Sequence, residues 1–334
     1  MPGCSKMLGC CEDRLSVNQV PEEYKELAIC SGYRRPGLTF TESLWSIFGL
    51  HNETFNVWTH LISTICYVYY IYYVFQSYNI LQTEYQALLC LQGACCLLAS
   101  CSTVAHLFSS MSSVIRHTCF MIDYLGITVY AFAACITNKI YALPRSWQGG
   151  AYEKHFLTFM FVNCFLCVFI ACHSRFLPKN QKSTKMLRLG AFVLPYIFGM
   201  LPCMYRVWDC ASDNSCAGAA YYGQHFFITI FTVTFYGGHV PEIFFPGYFD
   251  IFFQSHSIFH VTVVTGTFYH MYGNVVDMTS RPAVDLSPIP CSPLIPILLL
   301  LVLNTCTVIY FVNKLSARQQ QDTKLLNGNQ KKYD

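Results

Sequence analysis

Eight apolar runs, each long enough to cross a bilayer as a helix, constrain this chain more than any other feature. They lie at approximately 56–75, 86–108, 118–141, 155–172, 186–207, 221–240, 256–276 and 293–313. A helix needs roughly 18 to 25 such residues to span the hydrocarbon core. The seventh run is the weakest, because it carries His256, His260 and His270. Composition agrees with the lengths: 54% of residues are hydrophobic and 12% are charged, about half the charged share of a soluble domain. The fold expected is all-α: a polytopic membrane protein with a seven-helix core plus an eighth C-terminal transmembrane helix.

Lysine and arginine orient the spans, since short loops rich in them stay on the cytoplasmic side. Of 21 such residues, 16 fall on one face: Lys6, Arg14, Lys25, Arg34 and Arg35, then Arg116, the cluster Arg175, Lys179, Lys182, Lys185 and Arg188, and five in the tail. The opposite face receives Lys139, Arg145, Lys154, Arg206 and Arg281. Both termini are therefore expected in the cytoplasm, unlike a rhodopsin-type receptor, whose amino terminus is outside. The chain divides into a cytoplasmic N-terminal segment with a short amphipathic helix (1–55), a membrane core with the candidate metal site (56–276), a loop with the eighth helix (277–313), and a disordered cytoplasmic tail (314–334). A net formal charge of +3, scattered as it is, argues against a nucleic-acid partner. No cleavable signal peptide is expected, because the first 40 residues are charged throughout.

Most of the 19 cysteines lie in apolar runs, where they serve as small packing residues. Cys4, Cys10 and Cys11 are either palmitoylation sites or plain cytosolic thiols, and Cys210 with Cys216 could close a disulfide in an outer loop. Asn52-Glu53-Thr54 matches a glycosylation sequon that a cytoplasmic position would leave unmodified.

Ionisable residues inside spans are costly, so each invites a functional reading. With the amino terminus inside, His106 ends the second span, Asp123 lies near the start of the third, and His256 and His260 open the seventh. All four then occupy the inner leaflet. His256 and His260 are four residues apart and stack one turn apart on a helix face; Ser102 stands one turn from His106 in the same way. Three imidazoles with one position left open are the donor set of a catalytic-type zinc site, and zinc suits three histidines without a thiolate. Asp123 is placed to hydrogen-bond a water there, and Ser102 to hold the water or a substrate carbonyl. The plain alternative is a histidine pair that hydrogen-bonds to neighbouring helices. His60 reads as a satisfied packing residue, and His239 and His270 fall away from this depth.

Three stretches carry a resemblance: "HNETFNVWTHLI" from His51, "STVAHLFSSMSSVIRHTCFMIDYLGI" from Ser102 and "HVPEIFFPGYFDIFFQSHSIFHV" from His239. In that order they resemble the signature blocks of the progestin and adipoQ receptor family. The resemblance implies a seven-helix core with its amino terminus inside, and Zn2+ near the cytoplasmic face on His106, His256 and His260. It also implies a water held by Asp123, a role for Ser102, and a lipid-binding cavity; some members hydrolyse ceramide. The eighth span and "SGYRRP" from Ser31 are similar to the membrane progestin receptor branch, whereas "FFPGYFDIFFQSH" reads closer to the adiponectin branch. Ile243 departs from the family pattern, which has arginine after the glutamate.

Three functions follow as expectations. The first is a plasma-membrane receptor that binds a steroid or other lipid and signals to a cytosolic partner, as a monomer or a homo-oligomer. The second is an intramembrane zinc amidohydrolase of the ceramidase type. The third is a scaffold for cytosolic partners with purely structural zinc.

Overall fold

All eight apolar runs are helical in the structure, a computed structural model that describes residues 14–79, 82–177, 182–210, 217–281, 285–287, 289 and 291–330. A short helix α1 (Phe40–Trp45) precedes the bundle, followed by α2 (Thr54–Ser77), α3 (Thr83–Phe108) and α4 (Ser113–Thr137), which a π-helical turn (Asn138–Ala142) prolongs. Next come α5 (Ala151–Ser174), α6 (Lys182–Gly199), α7 (Leu201–Asp209), α8 (Ala217–Gly238), α9 (Ser255–Ser280) and α10 (Leu294–Gln330). Helix α10 continues well past 313, through the stretch expected to be a disordered tail; good helix formers such as Lys314, Leu315, Ala317 and Arg318 sustain it.

By length and composition alone, α3, α4 with its π turn, α5 and α10 qualify as membrane spans, and α6 with α7 qualify together as one bent span. Helices α2, α8 and α9 carry more polar side chains, and these are turned inward: Asn56 and His60 on α2, His225 on α8, and His260, His270, Asn274 and Asp277 on α9 are all buried. Their outer faces are apolar, with Ile62, Ile65, Val68, Phe227 and Ile230 exposed. A polar interior with an apolar exterior inverts the pattern of a soluble bundle and suits a hydrocarbon solvent.

The 186–207 run is broken at Met200, where α6 and α7 meet at 49°. Proline lacks the N–H that an i→i−4 bond requires. Pro202 thus leaves the Phe198 carbonyl without its helical donor, and Tyr152 Oη supplies one at 3.1 Å. Pro195 does the same to Ala191, whose carbonyl accepts from the Cys167 thiol at 2.7 Å. The Gly199 carbonyl takes the Asn138 amide at 3.1 Å. Consecutive helices pack as neighbours, α9 closes the ring onto α2, and α10 lies outside against α4 and α5.

The N-terminal segment is folded onto one end of the bundle rather than free in solvent. Leu15 and Tyr33 exchange two backbone hydrogen bonds (2.8 and 3.1 Å), and Val20, Tyr24, Ile29 and Tyr33 form a small separate core. Thr39 caps α1 and Glu42 reaches back to it in a capping box. Cys210 is disulfide-bonded. Cys216, like Cys4, Cys10 and Cys11, lies outside the described residues.

Candidate metal centre

Helix α3 delivers His106 from its last turn, and α9 delivers His256 and His260 from its first two turns, at the end of the bundle covered by the N-terminal segment. His256 Nε2 stands 3.2 Å from His106 Nε2 and 3.2 Å from His260 Nε2. Donors bound tetrahedrally at 2.0–2.1 Å lie about 3.3–3.4 Å apart, so both separations fit a shared ion. One ligand atom from each of the three residues lies within 4.8 Å of the others, and the trio could hold a metal ion. His106 and His260 are buried, and His256 is partly so.

The outward nitrogens are held in a way that turns lone pairs toward this point. His106 Nδ1 lies 2.7 Å from Glu53 Oε2, a carboxylate at the start of α2. A carboxylate can only accept, so Nδ1 carries the hydrogen and Nε2 is left free to ligate, as in metal sites where an outer carboxylate sets the tautomer. Glu53 also accepts from Asn56 Nδ2 at 2.7 Å, and Asn56 Oδ1 in turn accepts from Ser257 on α9 at 2.7 Å. His260 is similarly engaged by the Asn56 backbone, and its Nδ1 lies 3.3 Å from Thr59 Oγ1.

Charge in this supporting layer is set by burial and by hydrogen bonding. Burial opposes ionisation of Glu53, but the electrostatic interaction with His106, together with the bonds from His106 and Asn56, outweighs it and holds the carboxyl well below the usual range. Burial, with the Arg34 guanidinium beside it, pushes His51 down to about 3; its Nδ1 accepts from the Glu53 N–H at 3.1 Å and its Nε2 donates to the Ser46 carbonyl at 3.1 Å. Glu242, buried in the loop before α9, accepts from the Ser255 N–H at 2.7 Å and from its hydroxyl, and so caps the helix that carries two of the imidazoles. Ile243, the departure from the family pattern, is exposed next to it.

Asp123 on α4 is partly buried and interacts electrostatically with His106 and Arg175. Ser102, one turn before His106, is 2% exposed. Neither belongs to the trio, and among the described residues neither has a hydrogen-bond partner. His60 departs from expectation. It is buried and stacks on His260 with ring centroids 3.9 Å apart, but neither ring nitrogen has a hydrogen-bond partner among the described residues, so it packs there without being satisfied. His239 pairs with Glu242 at 3.6 Å, and His270 Nε2 lies 2.7 Å from Asn138 Oδ1, both apart from the trio.

The haemolysin-III-related family matches residues 48–271, a stretch that includes Glu53 and all three imidazoles. The chain belongs to that family. Membrane progestin receptor delta of Homo sapiens is 34% identical to it over 275 residues, 80% of each chain. Membrane progestin receptor gamma-B of Danio rerio is 32% identical over 294 residues, 82% of this chain and 85% of the relative. Membrane progestin receptor gamma of Homo sapiens is 29% identical over 303 residues, 89% and 92% of the two chains. The resemblance to the progestin and adipoQ receptor family, and to its membrane progestin receptor branch, is thereby borne out.

Sequence reasoning missed Glu53, Asn56 and Arg34. Glu53 registers in the sequence only as the middle of a sequon. The available signal was a carboxylate beside the first span, in a stretch where every other candidate partner for a ligand histidine is neutral.

Proposed function

We propose that this protein is a multi-pass receptor of the plasma membrane, with both termini in the cytoplasm, that binds a steroid or other lipid within its helix bundle and signals inward. Zn2+ on His106, His256 and His260 is part of the reading. The observation that carries it is the buttressed imidazole trio, seated in a chain a third identical to a membrane progestin receptor over four-fifths of its length. Saturable binding of labelled progestin to membranes from expressing cells tests this; binding no greater than in untransfected membranes would refute the progestin form of the proposal.

A second reading, an amidohydrolase acting on ceramide or a related lipid amide, is favoured by one further observation. Ser102 and Asp123 stand near His106 with no hydrogen-bond partner among the described residues, as groups that act on a bound molecule would. A zinc ion would supply Lewis acidity at the imidazole nitrogens. The chain's own part is then to orient the amide carbonyl with the Ser102 hydroxyl, to take at the Asp123 carboxylate a proton from the water that adds to that carbonyl, and to pass it to the amine nitrogen as the C–N bond breaks. Purified protein would release fatty acid and sphingoid base, and the His256→Ala variant would not; equal turnover by both ends this reading.

A further inference from the structure

The stretch Cys30–Arg34 takes no part in metal ligation, yet it touches the end of α3 and the segments that lead into α2 and α9. The Cys30 N–H and the Ser31 hydroxyl donate to Asp250 Oδ1 and Oδ2 at 2.9 and 2.7 Å. Asp250 is 5% exposed and lies in the loop that leads into α9, shortly before His256. The Gly32 carbonyl accepts from the Asn52 N–H at 2.8 Å, next to Glu53. Gly32 has φ +83, a left-handed conformation that favours glycine, and a Cβ there would crowd Asn52 N at 3.3 Å.

Arg34 makes the tightest of these contacts. The residue is 8% exposed, and its guanidinium donates from Nη2 to the His106 carbonyl at 2.6 Å and from Nη1 to the Leu107 carbonyl at 2.7 Å. The hydroxyls of Ser46 and Ser109 accept at 2.9 and 3.2 Å. The last carbonyls of α3 lack intrahelical donors, and a cation there satisfies them while meeting the negative end of the helix dipole. A buried guanidinium is costly unless its donors are engaged; both Nη nitrogens are, twice each, and Nε has no partner among the described residues, so the contact at the two carbonyls has little freedom to drift. The residue it holds by the backbone is the one whose ring Glu53 holds by Nδ1.

We propose that Cys30–Arg34 is a clamp that sets the relative position of the metal ligands, with Arg34 the positioning residue for His106. The clamp joins α3, the start of α2 and the approach to α9 from outside the bundle. It is also a route for signalling: a ligand that shifts His106 or α9 strains these contacts, and a cytosolic partner that draws the segment away loosens the metal. Linkage requires the two effects to be equal in free energy. The inference rests on the trio holding zinc.

The test measures zinc affinity by chelator competition, together with the visible absorption of the cobalt(II)-substituted protein, for the full-length wild type, Arg34→Gln, Arg34→Lys and Asp250→Asn. Arg34→Gln is expected to weaken zinc about tenfold to a hundredfold, the range for loss of an outer-shell partner, and to alter the cobalt spectrum. Arg34→Lys recovers only part, because an ammonium cannot span two carbonyls as a planar fork does. A purely structural Arg34 would lower the melting temperature and leave the folded protein's affinity and spectrum unchanged. The wild type provides a second measurement independent of folding: zinc should slow hydrogen exchange at the Cys30 and Asn52 amides. Wild type that binds no zinc overturns both the zinc reading and the clamp. Zinc binding with unchanged affinity and spectrum in the variants, or with exchange at those amides indifferent to zinc, overturns the clamp alone.

Discussion

Replacing Glu53 tests the metal centre through a residue that does not touch the metal. Its carboxylate accepts from His106 Nδ1 and Asn56 Nδ2, each at 2.7 Å, in a buried position. Glu53→Leu removes the oxygen, Oε2, that accepts both bonds, leaving two buried donors unpaired at a cost of about 1–3 kcal/mol each, and frees the His106 ring to change tautomer. Outer-shell losses of this kind lower metal affinity about 10- to 100-fold, which is roughly 1.4–2.7 kcal/mol at 1.36 kcal/mol per decade. Glu53→Gln keeps one acceptor oxygen and should sit at the lower end, with Glu53→Leu at the upper. The two variants also separate metal affinity from fold stability. Removing one member of a buried hydrogen-bonded set is destabilising, so metal-free Glu53→Leu should melt earlier than wild type, while Glu53→Gln, which keeps an acceptor, should melt close to it. Chelator competition on purified protein reads the affinity, and thermal unfolding with and without zinc reads the stability. If Glu53→Leu binds zinc within about twofold of wild type, the carboxylate does not set the ligand geometry and the reasoning fails.

Three other outcomes are expected. Zinc at about 100 times its Kd should stabilise the wild type by about 2.7 kcal/mol through mass action, seen as a raised melting temperature that chelation reverses; His260→Ala should lose that response. The folded-state pKa of His51, about 3 against 6.5 unfolded, means that the unfolded chain takes up the proton first. Its contribution is therefore undiminished above about pH 6.5 and is lost as pH falls from there toward 3, about 2 kcal/mol by pH 5. His51→Asn should show that much less loss between pH 7 and 5, and an identical pH dependence would refute the assignment. Gly218→Ala should destabilise by about 1–3 kcal/mol, as overpacking does, because the new Cβ would lie 3.1 Å from the Gly273 carbonyl and collide with the Asp277 carboxylate; thermal unfolding checks it.

The features legible in the sequence are those set by local periodicity and composition. Run lengths marked where helices form. The four-residue spacing of His256 and His260 put both rings on one face before any neighbour was known, and matching depths brought His106 toward them. That His60 would stack on His260 unsatisfied, and that the 186–207 run would break at Met200, was not legible. The tertiary structure also decided what each ligand leans on. Glu53 meets His106 across 53 residues, Arg34 meets the same residue's carbonyl across 72, and Cys30 meets Asp250 across 220. Pro195 and Pro202 announce a weak point in their run, but the donors that repair it, Cys167 and Tyr152, come from another helix. Apolar burial follows from how many residues of a kind lie in a row. A hydrogen bond has direction and fails within a few tenths of an ångström, so its partners are known only once the helices have settled against one another.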